Sequence, residues 1–440
     1  MSGRHLADAV QPREVLGWVM YDFANSGYTT VVITAIYNAW FVAAIAGNAP
    51  WATLAWTAAL SVSYALIMAS APVLGAWADV HGAKKRVLAW TTAGCVLCTA
   101  ALAWPAPGEV ALAMLLVILS NFCFGAGENV VAAFLPELAR GEAMGKVSAW
   151  GWSVGYLGGL LTLALCLGWI HLAQGRGMSA AQFVPVTALI TAALFALASL
   201  PTFLWLRERA RPLRQSPQAA RLWVRRSWSR AWHTFTDTGC LPDLRRLLVC
   251  MVFYQAGIQT VIALAAIYAQ QALGFGTADT IQLVLVVNLT AAAGAFAFGQ
   301  LQDRLGHSRT IALTLVGWLL MTLIAWQSET RASFWVAANI AGVCLGSSQS
   351  AGRALVGYLS PPGRQGEMFG LWGLAVKLSA ILGPLTYGLV SWMSAGNHRL
   401  AMLVTGLFFV AGLALLTGID VPRGRRMALA APAANKESAA

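Results

Sequence analysis

Gly75-Ala-Trp-Ala-Asp79-Val-His-Gly82-Ala-Lys-Lys85-Arg86 and Gly299-Gln-Leu-Gln-Asp303-Arg-Leu-Gly306-His-Ser-Arg309 are one short phrase written twice, 224 positions apart. Glycine, aspartate, glycine and a base keep the same spacing in both copies. Each copy closes a long apolar segment and precedes another, which places it in a tight turn between two helices that cross a membrane. In such a turn glycine lets two backbones approach closely, and an aspartate can meet helix-end amides and neighbouring bases. One such turn is common. Its return at the matching position of a second hydrophobic half predicts a duplicated helical membrane fold.

Composition excludes a soluble domain. Of 440 residues 58% are apolar and 10% charged, too few charged groups for a solvated surface. Twelve spans are expected, at about 15–46, 52–78, 86–104, 110–136, 146–172, 183–206, 247–271, 280–302, 310–327, 332–357, 366–394 and 398–418. The first of these is too long, and too interrupted by Asp22 and Asn25, for a cleaved signal peptide. The domain reading is a six-helix bundle at 1–206, a basic linker at 207–246, a second bundle at 247–418 and a tail at 419–440.

Charge placement orients the chain. Of the 29 Lys and Arg residues, Arg176, Arg331 and Arg399 fall in loops on one side, and Arg353 and Lys377 fall within spans. The remaining 24 lie on the side of the two termini, so the inside-positive rule puts both termini in the cytoplasm, for a multi-pass protein of the inner (plasma) membrane. Ten of these bases lie in the linker. Its Leu222, Arg225, Trp228, Trp232 and Phe235 suit a helix on the membrane surface with bases reaching anionic lipid, and a solvated tether fits equally well. The net charge of +12 is therefore loop charge, and nucleic acid is not an expected partner. The seven cysteines lie in or beside apolar segments, with none in a loop on the outer side, so no disulfide framework is implied, and Cys95-x-x-Cys98 reads as packing.

The chemistry is expected from polar side chains at membrane depth, since an ionisable group in hydrocarbon costs about 2.5 kcal/mol or more unless paired or facing water. The first span carries Tyr21, Asp22, Asn25 and Ser26, with Asp22, Asn25, Ser26 and Thr29 on one helical face. The fourth carries Glu128 and Asn129. The tenth aligns Gly342, Gly346, Gln349 and Arg353, and the eleventh aligns Gly370, Gly373, Lys377 and Pro384; the glycines admit a neighbouring helix or a ligand. Gln255 and Gln259 of the seventh span join the candidate set for binding or coupling. Buried acids belong to the first half and buried bases to the second. Opposite charges on facing halves suit an inner gate, or the two ends of a zwitterion, and protonation of an acid would loosen either arrangement. The conformational-switch set is Gly75, Asp79, Gly82, Lys85 and Arg86, with Gly299, Asp303, Gly306 and Arg309.

The repeated turn resembles the loop between helices 2 and 3, and again 8 and 9, of the major facilitator superfamily. Five further blocks narrow the likeness: Tyr21-Asp22-Phe23-Ala24-Asn25-Ser26, Phe134-Leu135-Pro136-Glu137, Gly151-Trp152-x-x-Gly155-Tyr156-Leu157-Gly158-Gly159, Gln349-x-x-x-Arg353, and Lys377-Leu378-Ser379-x-Ile381-Leu382-Gly383-Pro384. Together they look like the vacuole-effluxer branch, which contains autophagy-related amino-acid effluxers of fungal vacuoles and bacterial permeases. The resemblance implies an all-α membrane protein of twelve helices in two pseudo-symmetric six-helix bundles, with a central cavity, alternating access and efflux of a small polar solute such as an amino acid. Small residues Ser350-Ala351-Gly352 stand between Gln349 and Arg353, where the branch carries bulkier ones.

Rival readings remain at this point. The glycines of 151–159 have the spacing of a drug–proton antiporter motif, but Tyr156 stands where that motif has proline, and a groove for helix packing explains the glycines more simply. A transporter-shaped receptor that binds without flux is the second alternative. No phosphate-binding loop, metal-ligand spacing or nucleophile–base set is present, so neither an enzyme nor a cofactor or metal is expected, and coupling falls to protons or another ion gradient. A monomer bound to a small-molecule solute is the expected working form.

Overall fold

The computed structural model describes residues 5–209, 241–275 and 277–431, with residues 222, 225, 226, 228 and 229 from the stretch between. Twelve long helices follow one another among these residues. They are α1 (Pro12–Ile45), α2 (Ala52–His81), α3 (Lys84–Ala101), α4 (Val110–Ala132), α5 (Met144–Gly175), α6 (Ala180–Trp205), α7 (Pro242–Leu273), α8 (Thr277–Leu305), α9 (His307–Gln327), α10 (Arg331–Leu359), α11 (Gln365–Met393) and α12 (His398–Leu416). A short polar helix, α13 (Val421–Ala430), ends the described chain. Of the expected membrane-surface helix of the linker, Leu222, Arg225 and Trp228 are described, with Trp228 Nε1–H donating to Ala69 O of α2 at 3.0 Å, whereas Trp232 and Phe235 lie outside the described residues, as does the tail beyond residue 431.

Ten of the twelve are long and apolar enough to cross a membrane; α3 and α10 are the exceptions. The cause differs. α3 is only 18 residues long and begins with Lys84, Lys85 and Arg86. α10 is polar because Ser347, Ser348, Gln349, Ser350 and Arg353 are buried in the protein, away from lipid.

Local signals account for the ends. Gly82 caps α2 with φ 55°, and Gly306 opens α9 with φ 86° and ψ 161°, a region that essentially only glycine occupies. These are the second glycines of the two repeated turns. α1 is not a uniform α-helix. Thr29–Ala35 and Phe41–Ile45 are π-helical, so that Ile36 N–H donates to Val31 O (3.0 Å) and Ala46 N–H to Phe41 O (2.8 Å), each five residues back. π-segments inside α-helices recur at functional sites.

Two hydrophobic cores form. Trp18, Tyr28, Phe41, Phe134 and Phe195 belong to the first, and Tyr254, Trp318, Phe369 and Phe409 to the second. The cores interlock only slightly, with Ala354 joining the first and Ala132 and Ala133 the second. Residues of α1–α6 and of α7–α12 thus pack as two bundles.

The bundles meet along two seams, α2 against α11 and α5 against α8. Glycine makes both. A methyl group on Gly366 would lie 2.7 Å from Gly75 O, one on Gly370 would lie 2.7 Å from Ala71 O, and one on Gly75 would collide with Gly366 O. Across the other seam Gly299 sits on the Cβ of Ala149, and Gly145 leaves room for the Gln302 side chain. Both tight contacts fall at the face that carries the chain ends. There Arg423 binds Asp243 of α7 at 2.6 Å, and Arg209 binds Glu14 of α1 at 2.8 Å.

The other side is splayed. A cavity of about 540 Å³ lies between the bundles, floored by Asp22, Arg353, Glu128 and Lys377, and it continues past Thr34 and Asn38 of α1, Ala265 of α7 and Phe334 of α10. These last residues are at the ends of their helices remote from the termini. The molecule is therefore closed on the terminal face and open on the opposite one.

Candidate functional site

The floor of the cavity is built from charges of opposite sign on opposite bundles. Arg353 Nη1 donates to Asp22 Oδ2 at 2.7 Å, Arg353 Nε to Ser148 Oγ at 3.1 Å, and Arg353 Nη2 to Ser148 O at 2.8 Å. Its guanidinium carbon lies over the rings of Trp18 (4.6 Å to the centroid) and Trp152 (5.3 Å). Each such contact is worth about 0.5–2 kcal/mol, more as water is excluded. Gly151 makes the space: a Cβ there would collide with Asp22 Oδ2 and lie 2.6 Å from Arg353 Nη2. Although Arg353 is near the end of α10, it turns inward and is 3% exposed.

A second pair stands beside the first. Lys377 Nζ lies 3.3 Å from Glu128 Oε2, flanked by the rings of Tyr64 (5.5 Å) and Phe124 (5.8 Å). Gln349 lines the cavity and accepts through Oε1 from Gln255 Nε2 at 2.7 Å. Asn25 and the half-buried Gln259 line it as well.

Three expected site residues are elsewhere. Tyr21 is 1% exposed inside the first bundle, its hydroxyl 3.0 Å from Thr92 Oγ1 and its ring edge-on to Phe195, because it points away from the Asp22 face of α1. Gln255 is held behind Gln349. Asn129 lies flat on the backbone of Gly373 in the α4–α11 contact, beside rather than in the cavity.

On the terminal face the first repeated turn crosses the seam. Asp79 accepts from Gly366 N–H (3.0 Å) and Glu367 N–H (2.9 Å), so it caps α11 of the other bundle at its positive end. The base that serves it is not Lys85 or Arg86. Lys84 is fully buried, 2.9 Å from Glu137 Oε1 and 3.7 Å from Asp79 Oδ1, whereas Lys85 turns to Leu206 O and Arg86 is exposed. Helical phase decides this, since of the three consecutive bases only Lys84 falls on the buried face of α3, with Val87, Leu88 and Thr91. In the second copy, Asp303 faces the first turn of α5, with Gly145 packed on its Oδ1. Arg309 is exposed and has no ion pair among the described residues.

The same network holds the start of the linker. Glu208 caps α3, accepting from Lys84 N–H (2.6 Å) and Lys85 N–H (3.1 Å), and Arg209 N–H donates to Glu137 Oε2 (2.9 Å). Burial pushes the Glu208 carboxyl above its ordinary pKa, against the pull of those two amides.

Lys84→Met leaves two buried carboxylates without their cation. It is expected to lower stability by about 3–5 kcal/mol, against about 1 kcal/mol for Lys85→Met. Melting temperatures of the two purified variants in detergent check this; equal losses would return the role to Lys85.

Sequence reasoning missed Lys84, Trp18, Trp152, Ser148 and Tyr64. Trp152 and Glu137 stood in quoted motifs without a role, and the pairing of Lys84 needed the phase of α3. The glycines of α5 prove to seat α1. A Cβ on Gly155 would lie 3.0 Å from Ser26 Oγ, and one on Gly158 would strike Phe23 O, which is the packing-groove arrangement.

The comparisons agree with this fold. The chain is 27% identical over 406 residues to an uncharacterised major-facilitator-type transporter, YxiO, of Bacillus subtilis, covering 91% of this chain and 93% of that one. It is 24% identical over 342 residues to autophagy-related protein 22-1 of Aspergillus fumigatus, covering 72% of this chain and 55% of that longer protein. In fold it is similar to the human organic anion transporter MFSD10, with a TM-score of 0.71 at 16% identity over 92% of this chain and all of that one. The model of the vacuole effluxer Atg22-like family matches residues 10–429. The chain is thus a multi-pass membrane protein of the transporter-forming major facilitator superfamily, and within it belongs to the vacuole effluxer Atg22-like family.

Proposed function

We propose that the protein is a secondary active carrier that works by alternating access, moving a small polar organic solute, an amino acid being the preferred class, out of the cytoplasm with proton coupling. The observation that carries this reading is the pair of salt bridges, Asp22–Arg353 and Glu128–Lys377, spanning the two bundles at the floor of a cavity open to one side. Bonds that join the bundles only when the terminal face is closed must break for it to open. A solute that competes for them links binding to that movement. The excess of bases on the terminal side supports cytoplasmic termini in an inner (plasma) membrane, and with them an outward-facing state. The basic segment 207–246 would rest on anionic lipid there. Protonation of Asp22 or Glu128 would weaken the closed floor, which makes these the coupling groups.

Counterflow tests the reading. Proteoliposomes loaded in turn with each unlabelled amino acid should accumulate its labelled form transiently, with a rate that changes across a pH series. Saturable binding without counterflow for any of them would replace the carrier with a receptor.

A further inference from the structure

The two cross-bundle ion pairs look alike on paper and are built for different tasks. Arg353 uses all three of its guanidinium nitrogens on Asp22 and Ser148, lies over two indole rings, and is 3% exposed. A ligand reaching it must compete with three hydrogen bonds, the shortest of them the 2.7 Å bond to Asp22. Lys377 is different. Among the described residues its ammonium, which has three protons to donate, makes one hydrogen bond, and at 3.3 Å that bond is longer than the 2.7–2.9 Å usual for a charge-assisted pair. Its side chain is 10% exposed and that of Glu128 is 23% exposed, both into the cavity. Tyr64 and Phe124 hold the ammonium in place from the sides without using its protons. Gly125 leaves space for the lysine stem, since a Cβ there would lie 3.4 Å from Lys377 Cε.

We propose that Lys377 is the anion-receiving group of the cavity and Glu128 its exchangeable cover, while Arg353 is a clasp that touches no cargo. A carboxylate entering from the open side takes the Glu128 position on Lys377. Glu128, released, accepts a hydrogen bond from a cationic or protonated group of the same solute. The net charge of the floor is unchanged by the exchange, which keeps desolvation small for a solute carrying both signs. The Asp22–Arg353 clasp stays closed through this step and opens only with the terminal face. The inference rests on the carrier reading but assigns roles that binding can test without flux.

Leucine, its decarboxylated amine (3-methylbutylamine) and its deaminated acid (4-methylpentanoate) serve as probes, together with whichever amino acid gives the largest wild-type counterflow. Binding is read as the rise in melting temperature of purified protein, and transport as KM and kcat of counterflow. Lys377→Met is expected to raise KM about tenfold or more, as befits a lost charge-assisted hydrogen bond. It should abolish stabilisation by the acid while sparing that by the amine. Glu128→Gln should reverse the two, and Lys377→Arg should retain the acid. Arg353→Met should lower kcat with KM and the ligand pattern unchanged. If Lys377→Met does not fold, the double variant Glu128→Gln/Lys377→Met removes the unpaired charge and must show the same insensitivity to the acid. The inference is overturned if the acid still stabilises either Lys377 variant, if Arg353→Met instead abolishes acid binding, or if neither the amino acids nor the acid stabilises the wild type. Wild-type stabilisation without counterflow would sink the carrier reading and leave the assignment of Lys377 standing.

Discussion

Arg353→Met should lower the kcat of transport about a hundredfold or more while the protein still inserts in the membrane. The substitution leaves Asp22 buried at the floor without its cation and removes both bonds to Ser148, which belongs to the opposite bundle. Removing one partner of a buried ion pair costs about 3–5 kcal/mol. Because this pair joins the bundles, the cost falls on the state closed at the terminal face, and its population relative to the open state should drop by roughly two orders of magnitude or more. The partner experiment is Asp22→Asn, which also breaks the pair but leaves no buried acid. It should abolish the pH dependence of residual counterflow. Identical pH profiles for wild type and Asp22→Asn would remove Asp22 from the coupling role. The double variant Asp22→Asn/Arg353→Met should regain melting temperature without regaining transport, which separates folding from gating.

The second large effect is steric. Gly366→Val puts a branched side chain where a single added carbon already lies 2.7 Å from Gly75 O and 2.8 Å from Asp79 Oδ1. At Gly75 O backbone stands on both sides of the contact, so no side-chain rotation relieves it. Overpacking of this kind costs about 3 kcal/mol at the upper end of its usual range. The collision exists only when α2 and α11 are pressed together, so the variant should fold, bind lipid and remain open at the terminal face. Spin labels at Arg86→Cys and Arg309→Cys, exposed on different bundles at that face, should report a longer distance than in the wild type. An unchanged distance with normal transport would mean that the α2–α11 seam is not a gate.

Much of this architecture is legible in the chain. Runs of twenty or more apolar residues declare most of the helices, and the repeated Gly-Asp-Gly-base turn declares the duplication, since Gly82 and Gly306 are fixed by backbone geometry that few other residues accept. At membrane depth the sign rule, Asp22 and Glu128 in the first half and Arg353 and Lys377 in the second, is read from sequence position alone, whereas at the terminal face Lys84, Asp243 and Glu367 are buried with the opposite placement. The pairings are another matter. Asp22 and Arg353 are 331 residues apart, and which base meets which acid depends on helix rotation that neither span nor spacing determines.

The same cause misplaced Tyr21, Asn129 and Gln255, whose polarity marks them as buried but not the direction in which they are buried. It also hid Lys84 behind its neighbour Lys85, one residue and 100° of helix away. The π-helical stretches of α1 leave no periodic trace, because Thr29–Ala35 is too short for five-residue hydrogen bonding to alter the apolar pattern. The position of the first stretch along the cavity wall, through Thr29, Thr30, Ile33 and Thr34, is visible only in three dimensions.

In the proposed carrier, closing one face and opening the other are a single movement, held at one end by Asp22–Arg353 and the glycine seams. Two label pairs in the wild-type protein test it: Arg86→Cys with Arg309→Cys at the terminal face, and Leu54→Cys with Met393→Cys at the opposite one, each measured by electron–electron distance spectroscopy across a pH series with and without a transported amino acid. Acidification or cargo should lengthen the first distance and shorten the second, with the two changes rising and falling together. Distances that move independently, or a terminal face that never opens, would contradict it.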